Sequence, residues 1–275
     1  MGKPDVSVVK AKSVQEVFDV IKLDYTNLSI GTYDNINFSH TFPVMPVDYL
    51  KYAQNDMSDS NERGLINALS NSKRSIDCQI EVVLRSLNID PECITQSALD
   101  FCKRVLPERE RNIKPLSLRL FCALGLAPSF LISEVRNLRN KVEHEFQIPN
   151  EHEVTRALEI AELLINNVKA KELYTCSIDI SDLKRKGDAE DGYITGIYFE
   201  EDYKTSSFQL TGWRDKTERI KYEFDTNEIQ YYFLLRAMFV AEHDKEKLSD
   251  SIRMLLETLD IKTPKEFINI ARVHR

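Results

Sequence analysis

A chain of 275 residues with 42% apolar and 29% charged side chains carries enough apolar material for one large domain or two ordinary ones, which excludes a disordered or fibrous protein. Eight Gly and nine Pro are few for this length and argue against a turn-rich all-β chain. A net charge of −7 excludes broad electrostatic binding to nucleic acid by the chain as a whole, so charge has to be read by region.

Residues 1–59 carry net −3, residues 60–172 net 0 and residues 173–275 net −4, leaving the middle of the chain least acidic. Ser13 and Glu16 form a capping-box pattern that predicts a short amphipathic helix over residues 13–21. Residues 26–46, rich in Asn, Ser, Gly and Pro, read as irregular, and residues 57–61 supply cap residues for the next element. Over 61–87, Leu65, Ile66, Leu69, Ile76, Ile80, Val83, Leu84 and Leu87 recur largely at steps of three and four, one stripe of a long helix. Asp90 and Pro91 predict a helix restart. Residues 116–126 form another short apolar helix. Pro128 opens the next, with Leu131, Val135, Leu138 and Val142 on one side, and Pro149-Asn150 separates it from a helix over 151–171. Four or five antiparallel helices joined by short breaks describe a bundle.

The texture changes after Lys171. Residues 173–180, 192–199, 205–211 and 219–224 are rich in β-branched and aromatic residues with polar ones interleaved, which predicts four strands. The charged stretches 184–191 and 200–204 read as hairpin-type connections. Asp225 and Glu228 make a cap pattern before 229–241, and 248–259 and 264–273 read as helical. The expected organisation is therefore an N-terminal accessory segment (1–59), a helical bundle (60–172) and an α+β module (173–275). The fold class expected is mainly α, an antiparallel helical bundle with a smaller C-terminal α+β domain.

No apolar run approaches the roughly 20 residues needed to span a bilayer, and residues 1–12 lack an apolar signal core, so a cytoplasmic protein without membrane contact is expected. Cys78, Cys93, Cys102, Cys122 and Cys176 form no CxxC pair and read as small apolar residues in a reducing compartment. Lys103, Arg104, Arg109, Arg111, Lys114 and Arg119 outnumber Glu108 and Glu110, a basic stretch that reads as a solvated helix-loop-helix surface. His152 has no spacing to other ligands that would make a metal site, and no P-loop, paired-glycine fingerprint or nucleophile elbow occurs. Tyr198, Phe199, Phe208 and Trp213 have the chemistry to stack bases, but packing in a core or hairpin is the simpler reading.

Residues 131–150 read Leu-Ile-Ser-Glu-Val-Arg-Asn-Leu-Arg-Asn-Lys-Val-Glu-His-Glu-Phe-Gln-Ile-Pro-Asn. Arg139-Asn140, three variable residues and His144 are followed by an aromatic, Phe146, by Pro149 and by a long apolar-striped helix. This segment resembles the HEPN superfamily, in which a late helix carries Arg-Asn, three variable residues and His. The opening helix, around residues 67–78, is similar in character, and the resemblance covers residues 60–172. Arg236 and His243 satisfy a looser spacing but lack the following Asn and sit after the strands, so Arg139 and His144 are preferred.

The resemblance implies a metal-independent endoribonuclease, with a toxin or antiviral-defence effector as its setting, no cofactor and no metal. These residue types suit attack by a neighbouring 2′-hydroxyl. Histidine can act as base or acid near neutral pH. An arginine fork holds phosphate oxygens, and Asn140 can fix the imidazole or bind the phosphate. One chain supplies one histidine, and the resemblance implies a homodimer in which two Arg/His sets share a cleft. At about 100° per residue, Arg136, Asn140 and His144 share a stripe while Arg139 lies roughly 140° from His144, so Arg136 joins as a substrate-binding candidate. Lys141 joins because, in the homodimer, Arg136, Arg139 and Lys141 of both chains would gather positive charge around the cleft. The expected partners are RNA as substrate, a second copy of the chain and a regulatory protein. The alternative is a non-catalytic HEPN module that binds RNA, a nucleotide or a protein and serves dimerisation. A further alternative gives specificity to residues 173–275, with the bundle assembling them.

Overall fold

The computed structural model describes residues 7–33, 36–59, 61–174, 177–182, 196–202, 207–214, 218–241 and 244–272. The chain divides into two units. One comprises residues 1–36, 95–101 and 173–275, and the other residues 37–94 and 102–172.

The first unit is built on a seven-stranded mixed sheet of β1 (Ser7–Lys10), β2 (Leu28–Tyr33), β3 (Ser177–Asp182), β4 (Gly196–Asp202), β5 (Ser207–Trp213), β6 (Glu218–Glu223) and β7 (Ile268–Arg272). Their order across the sheet is β1-β6-β5-β4-β3-β2-β7. The strands β3 to β6 form an antiparallel meander, β2 runs antiparallel to β3, and β1 and β7 add in parallel to β6 and β2. Alternation places Ile30, Ile180, Ile197, Gly212 and Ile220 in one row across five strands. Helix α1 (Val14–Ile21) packs on that row. A Cβ on Gly212 would lie 2.7 Å from Cγ1 of Ile21, so the close approach of α1 needs glycine there. Ser13 caps α1 by accepting from the Glu16 N–H, as the capping pattern predicts.

The long apolar stretch after β6 becomes helix α8 (Ile229–Val240), buried on nearly every side. Tyr231 lies among Phe199, Phe208 and Phe224, with ring centroids 5.7–6.3 Å apart. Phe199 and Phe208 are therefore core residues, in agreement with the packing reading. The opposite face of the sheet carries Trp213, whose ring has the Arg219 guanidinium 3.4 Å from its centroid. Helix α9 (Lys245–Glu257) packs on α8 and β7 and is capped by Asp244, whose carboxylate accepts from the Lys247 N–H.

The second unit contains α2 (Pro46–Ser58), α3 (Glu62–Ser86), α5 (Leu116–Ala123), α6 (Ser129–His144) and α7 (Glu151–Tyr174, assigned to this unit through Glu172). The remaining helix, α4 (Gln96–Val105), is divided, with residues up to Phe101 belonging to the sheet unit. Asn61 caps α3 through the Gly64 N–H. A Cβ on Gly64 would meet the Asp56 carbonyl oxygen at 2.5 Å, so glycine lets the start of α3 close against the end of α2. Asn150 and Glu153 form the reciprocal cap that starts α7.

Several expectations need correction, among them the irregular reading of 26–46, which contains β2, and the connection at 200–204, whose first three residues belong to β4. The expected mainly α protein, a helical bundle with a smaller C-terminal α+β domain, is overturned by the seven-stranded sheet. That sheet takes β1, α1 and β2 from the first 36 residues as well as the C-terminal strands, because β2 hydrogen-bonds to β3 and β7. Residues 264–273, expected to be helical, make a single 3-10 turn at Lys265–Phe267 and then enter β7. The helix expected from Asp90-Pro91 begins only at Gln96. Asp90 instead closes a turn, its carboxylate accepting from the Glu92 N–H.

Candidate functional site

Helix α6 carries every candidate residue. Its buried side, Ser129, Ile132 and Val135, holds it to the bundle, and α3 is its principal neighbour. Arg136 donates to Oδ1 of Asp77 on α3 at 3.0 Å, and Lys73 pairs with the same carboxylate. Arg139 pairs with Glu143 one turn further along its own helix. Asn140, Lys141 and His144 are exposed, and among the described residues their side chains have no hydrogen-bond or ion-pair partner.

The helix remains regular through His144. Glu145 is the C-cap and its N–H donates to the Lys141 carbonyl, with Gln147 closing on the same oxygen at 3.4 Å. Phe146 then takes φ +54, a left-handed conformation that usually falls to Gly or Asn, and its ring is 85% exposed. His144 thus projects from the last turn, at the carbonyl end of the helix. An unwound end does not bring it to Arg139. The two remain five residues apart, about 7.5 Å along the axis and roughly 140° around it. Within one chain the geometry places Arg136, Asn140 and His144 on one stripe and leaves Arg139 on the flank with Glu143.

The other flank of α6 faces α7 across a groove of about 510 Å³ whose lining includes Phe130, Leu138, Lys141, His152 and Ile160. Arg156 of α7 crosses it to Glu134 as a two-pronged contact, Nε to Oε1 at 2.8 Å and Nη2 to Oε2 at 3.0 Å. Metal-ligand spacing alone does not single out His152. Its place on this groove follows from α6 and α7 running as an antiparallel hairpin, a signal the Pro149-Asn150 break already contains.

The remaining chemistry-bearing residues have structural roles. In the basic stretch, Arg111 and Arg119 donate through Nε to the Leu106 and Ile113 carbonyls, closing loop ends, whereas Lys103 and Arg104 are exposed. Burial pushes the thiols of Cys102 and Cys122 up to about 12 and that of Cys78 up to about 11, which makes them poor nucleophiles. Cys93 is exposed, and Cys176 lies outside the described residues. Arg236 of the alternative pair sits in the largely buried α8, where desolvation lowers its pKa despite Asp244 and Asp250; His243 lies outside the described residues. Among the described residues no group of three or more His, Cys, Asp or Glu comes together as a metal site, and no helix is long and apolar enough to cross a membrane.

The chain matches no protein-family model, no curated protein and no solved structure.

Proposed function

We propose that this protein is an endoribonuclease of HEPN type whose chemistry is centred on the C-terminal end of α6. The observation that carries the reading is the joint exposure of Asn140 and His144, without side-chain partners among the described residues, on the stripe of α6 that also holds Arg136. The 2′-hydroxyl attacks the adjacent phosphorus, the bond to the 5′-oxygen breaks, and the products are a 2′,3′-cyclic phosphate and a 5′-hydroxyl. A base takes the 2′-hydroxyl proton and an acid gives one to the departing 5′-oxygen. His144 fills one of these roles, Arg139 and Arg136 hold the phosphate, and Asn140 orients the imidazole or the phosphate. Since Arg139 and His144 of one chain diverge around the helix, a cleft shared by two chains supplies the second histidine and an arginine from the opposite side. The reading includes a homodimer on that ground.

The test is incubation of purified protein with total cellular RNA in EDTA. Cleavage is expected, and His144→Ala should reduce it by about 10²- to 10⁴-fold. Wild-type protein that leaves RNA intact would refute the reading.

One observation favours a second reading, a non-catalytic module that binds RNA, a nucleotide or a protein partner. Both arginines near the stripe are already engaged by carboxylates, Arg139 by Glu143 and Arg136 by Asp77. RNA binding without cleavage, or a copurifying protein partner, would select it.

A further inference from the structure

We propose that the groove between α6 and α7 holds a single-stranded segment of RNA, with phosphate at Lys141 and His152 and a base against Phe130. The proposal rests on the RNA-directed reading of α6 and extends it to the nucleotides flanking the reacting phosphate.

Charge is the first argument. Of the two carboxylates on the groove, Glu134 is neutralised by the two-pronged Arg156, while Glu153, which accepts from the Asn150 N–H at 3.0 Å as part of the α7 cap, keeps its negative charge beside His152. The side chains of Lys141 and His152 have no hydrogen-bond or ion-pair partner among the described residues, so this end of the groove presents unpartnered donors to an anion, with Glu153 the one charge there that opposes it. Apolar surface is the second argument. Phe130 is 67% exposed at the opposite end of the α6 side, while the floor beside it is buried Val135, Ala157 and Ile160. A flat aromatic ring beside an apolar floor suits a base, whose faces stack without regard to sequence.

Position is the third. From Phe130 to Lys141 the helix rises about 16 Å, which accommodates more than one nucleotide. Lys141 stands one turn before His144 on the same helix. A strand lying with its phosphates toward Lys141 therefore leads directly to the stripe that carries the imidazole. Such a ligand places charge and ring at the two ends that the groove itself separates.

The experiment is fluorescence anisotropy of the full chain with a labelled single-stranded RNA rendered non-cleavable by 2′-O-methyl groups, in EDTA, over a salt series. Lys141→Ala should weaken binding about tenfold and reduce the salt slope by about 1. Phe130→Ala, a change at an exposed position, should weaken it about fivefold or more with the slope unchanged. Wild-type protein that does not bind, or Phe130→Ala and His152→Ala proteins that bind like wild type, would overturn the proposal. So would sedimentation showing that Phe130→Ala separates a dimer while each chain keeps its RNA affinity, since the groove would then belong to a second copy. Groove-dependent binding by a chain that cleaves no RNA supports the groove and rejects the nuclease reading. Cleavage by a chain whose groove variants bind normally does the reverse.

Discussion

Glu143 determines how much positive charge α6 offers to a phosphate. It sits one turn after Arg139 and directly before His144, and its ion pair turns the guanidinium along the helix flank. An exposed pair at this spacing is worth only about 0.3–0.5 kcal/mol, so a phosphate can displace the carboxylate. Glu143→Gln keeps the shape and removes the competing charge. RNA affinity at low salt should rise about twofold by anisotropy, and an unchanged or weaker affinity would contradict a phosphate-holding role for Arg139. Glu201 is a different case. It shares the apolar side of β4 with Ile197 and Phe199, its Oε2 is buried without a hydrogen-bond partner, and desolvation raises its pKa above the ordinary 4.5. Because the folded-state value is the higher one, the charged form opposes folding. The penalty is present at neutral pH, shrinks as pH falls through the folded value and is gone below the unfolded one. Glu201→Leu should therefore raise the melting temperature of the sheet unit at pH 7 by about 3 °C. The pH-dependent part of that gain should vanish below about pH 4.5; a gain that does not change with pH would contradict the assignment.

Helices are the most legible elements, because caps and apolar stripes are local. Ser13 and Asn61 cap the helices that their patterns announce, and Asn150, legible in the sequence as part of a break, caps α7. The stripe over 61–87 becomes α3 almost to the residue. The elements that sequence reading misses depend on distant partners. Residues 28–33 read as irregular because they lie within a stretch rich in Asn, Ser, Gly and Pro and are interrupted by Gly31, which strands disfavour, yet β2 is held between β3 and β7. Helix α2 is hidden for another reason. Its polar face is wide, and Leu50 and Ala53 with Pro46 are the buried residues it offers as a signal. At the end of α6 the helix signal and the site signal coincide, since the aromatic that follows His144 occupies the left-handed position. Holding a non-glycine residue there costs about 1–2 kcal/mol. Phe146→Gly should consequently raise the stability of the helical unit by about 1 kcal/mol in denaturant unfolding. A loss of stability would show that the exposed ring is held by contacts that offset the strained backbone.

At the scale of the whole molecule, the four C-terminal strands are legible but the sheet is not. Its edges and one inner strand come from opposite ends of the chain, and pairing such as Ile30 with Ile180 leaves no local trace. The candidate site is legible as a constellation on one helix, and so is the i,i+4 pair of Arg139 with Glu143, while the Asp77 carboxylate that engages Arg136 and the groove beside Lys141 require α3 and α7 to lie against α6. The central claim is that this packing presents His144 to RNA for attack by the 2′-hydroxyl. Mass spectrometry of RNA fragments formed in EDTA tests it most directly. Wild-type digests should carry 2′,3′-cyclic phosphate and 5′-hydroxyl ends that are lost with His144→Ala; 3′-hydroxyl and 5′-phosphate ends, or cyclic ends that persist in His144→Ala, would contradict it.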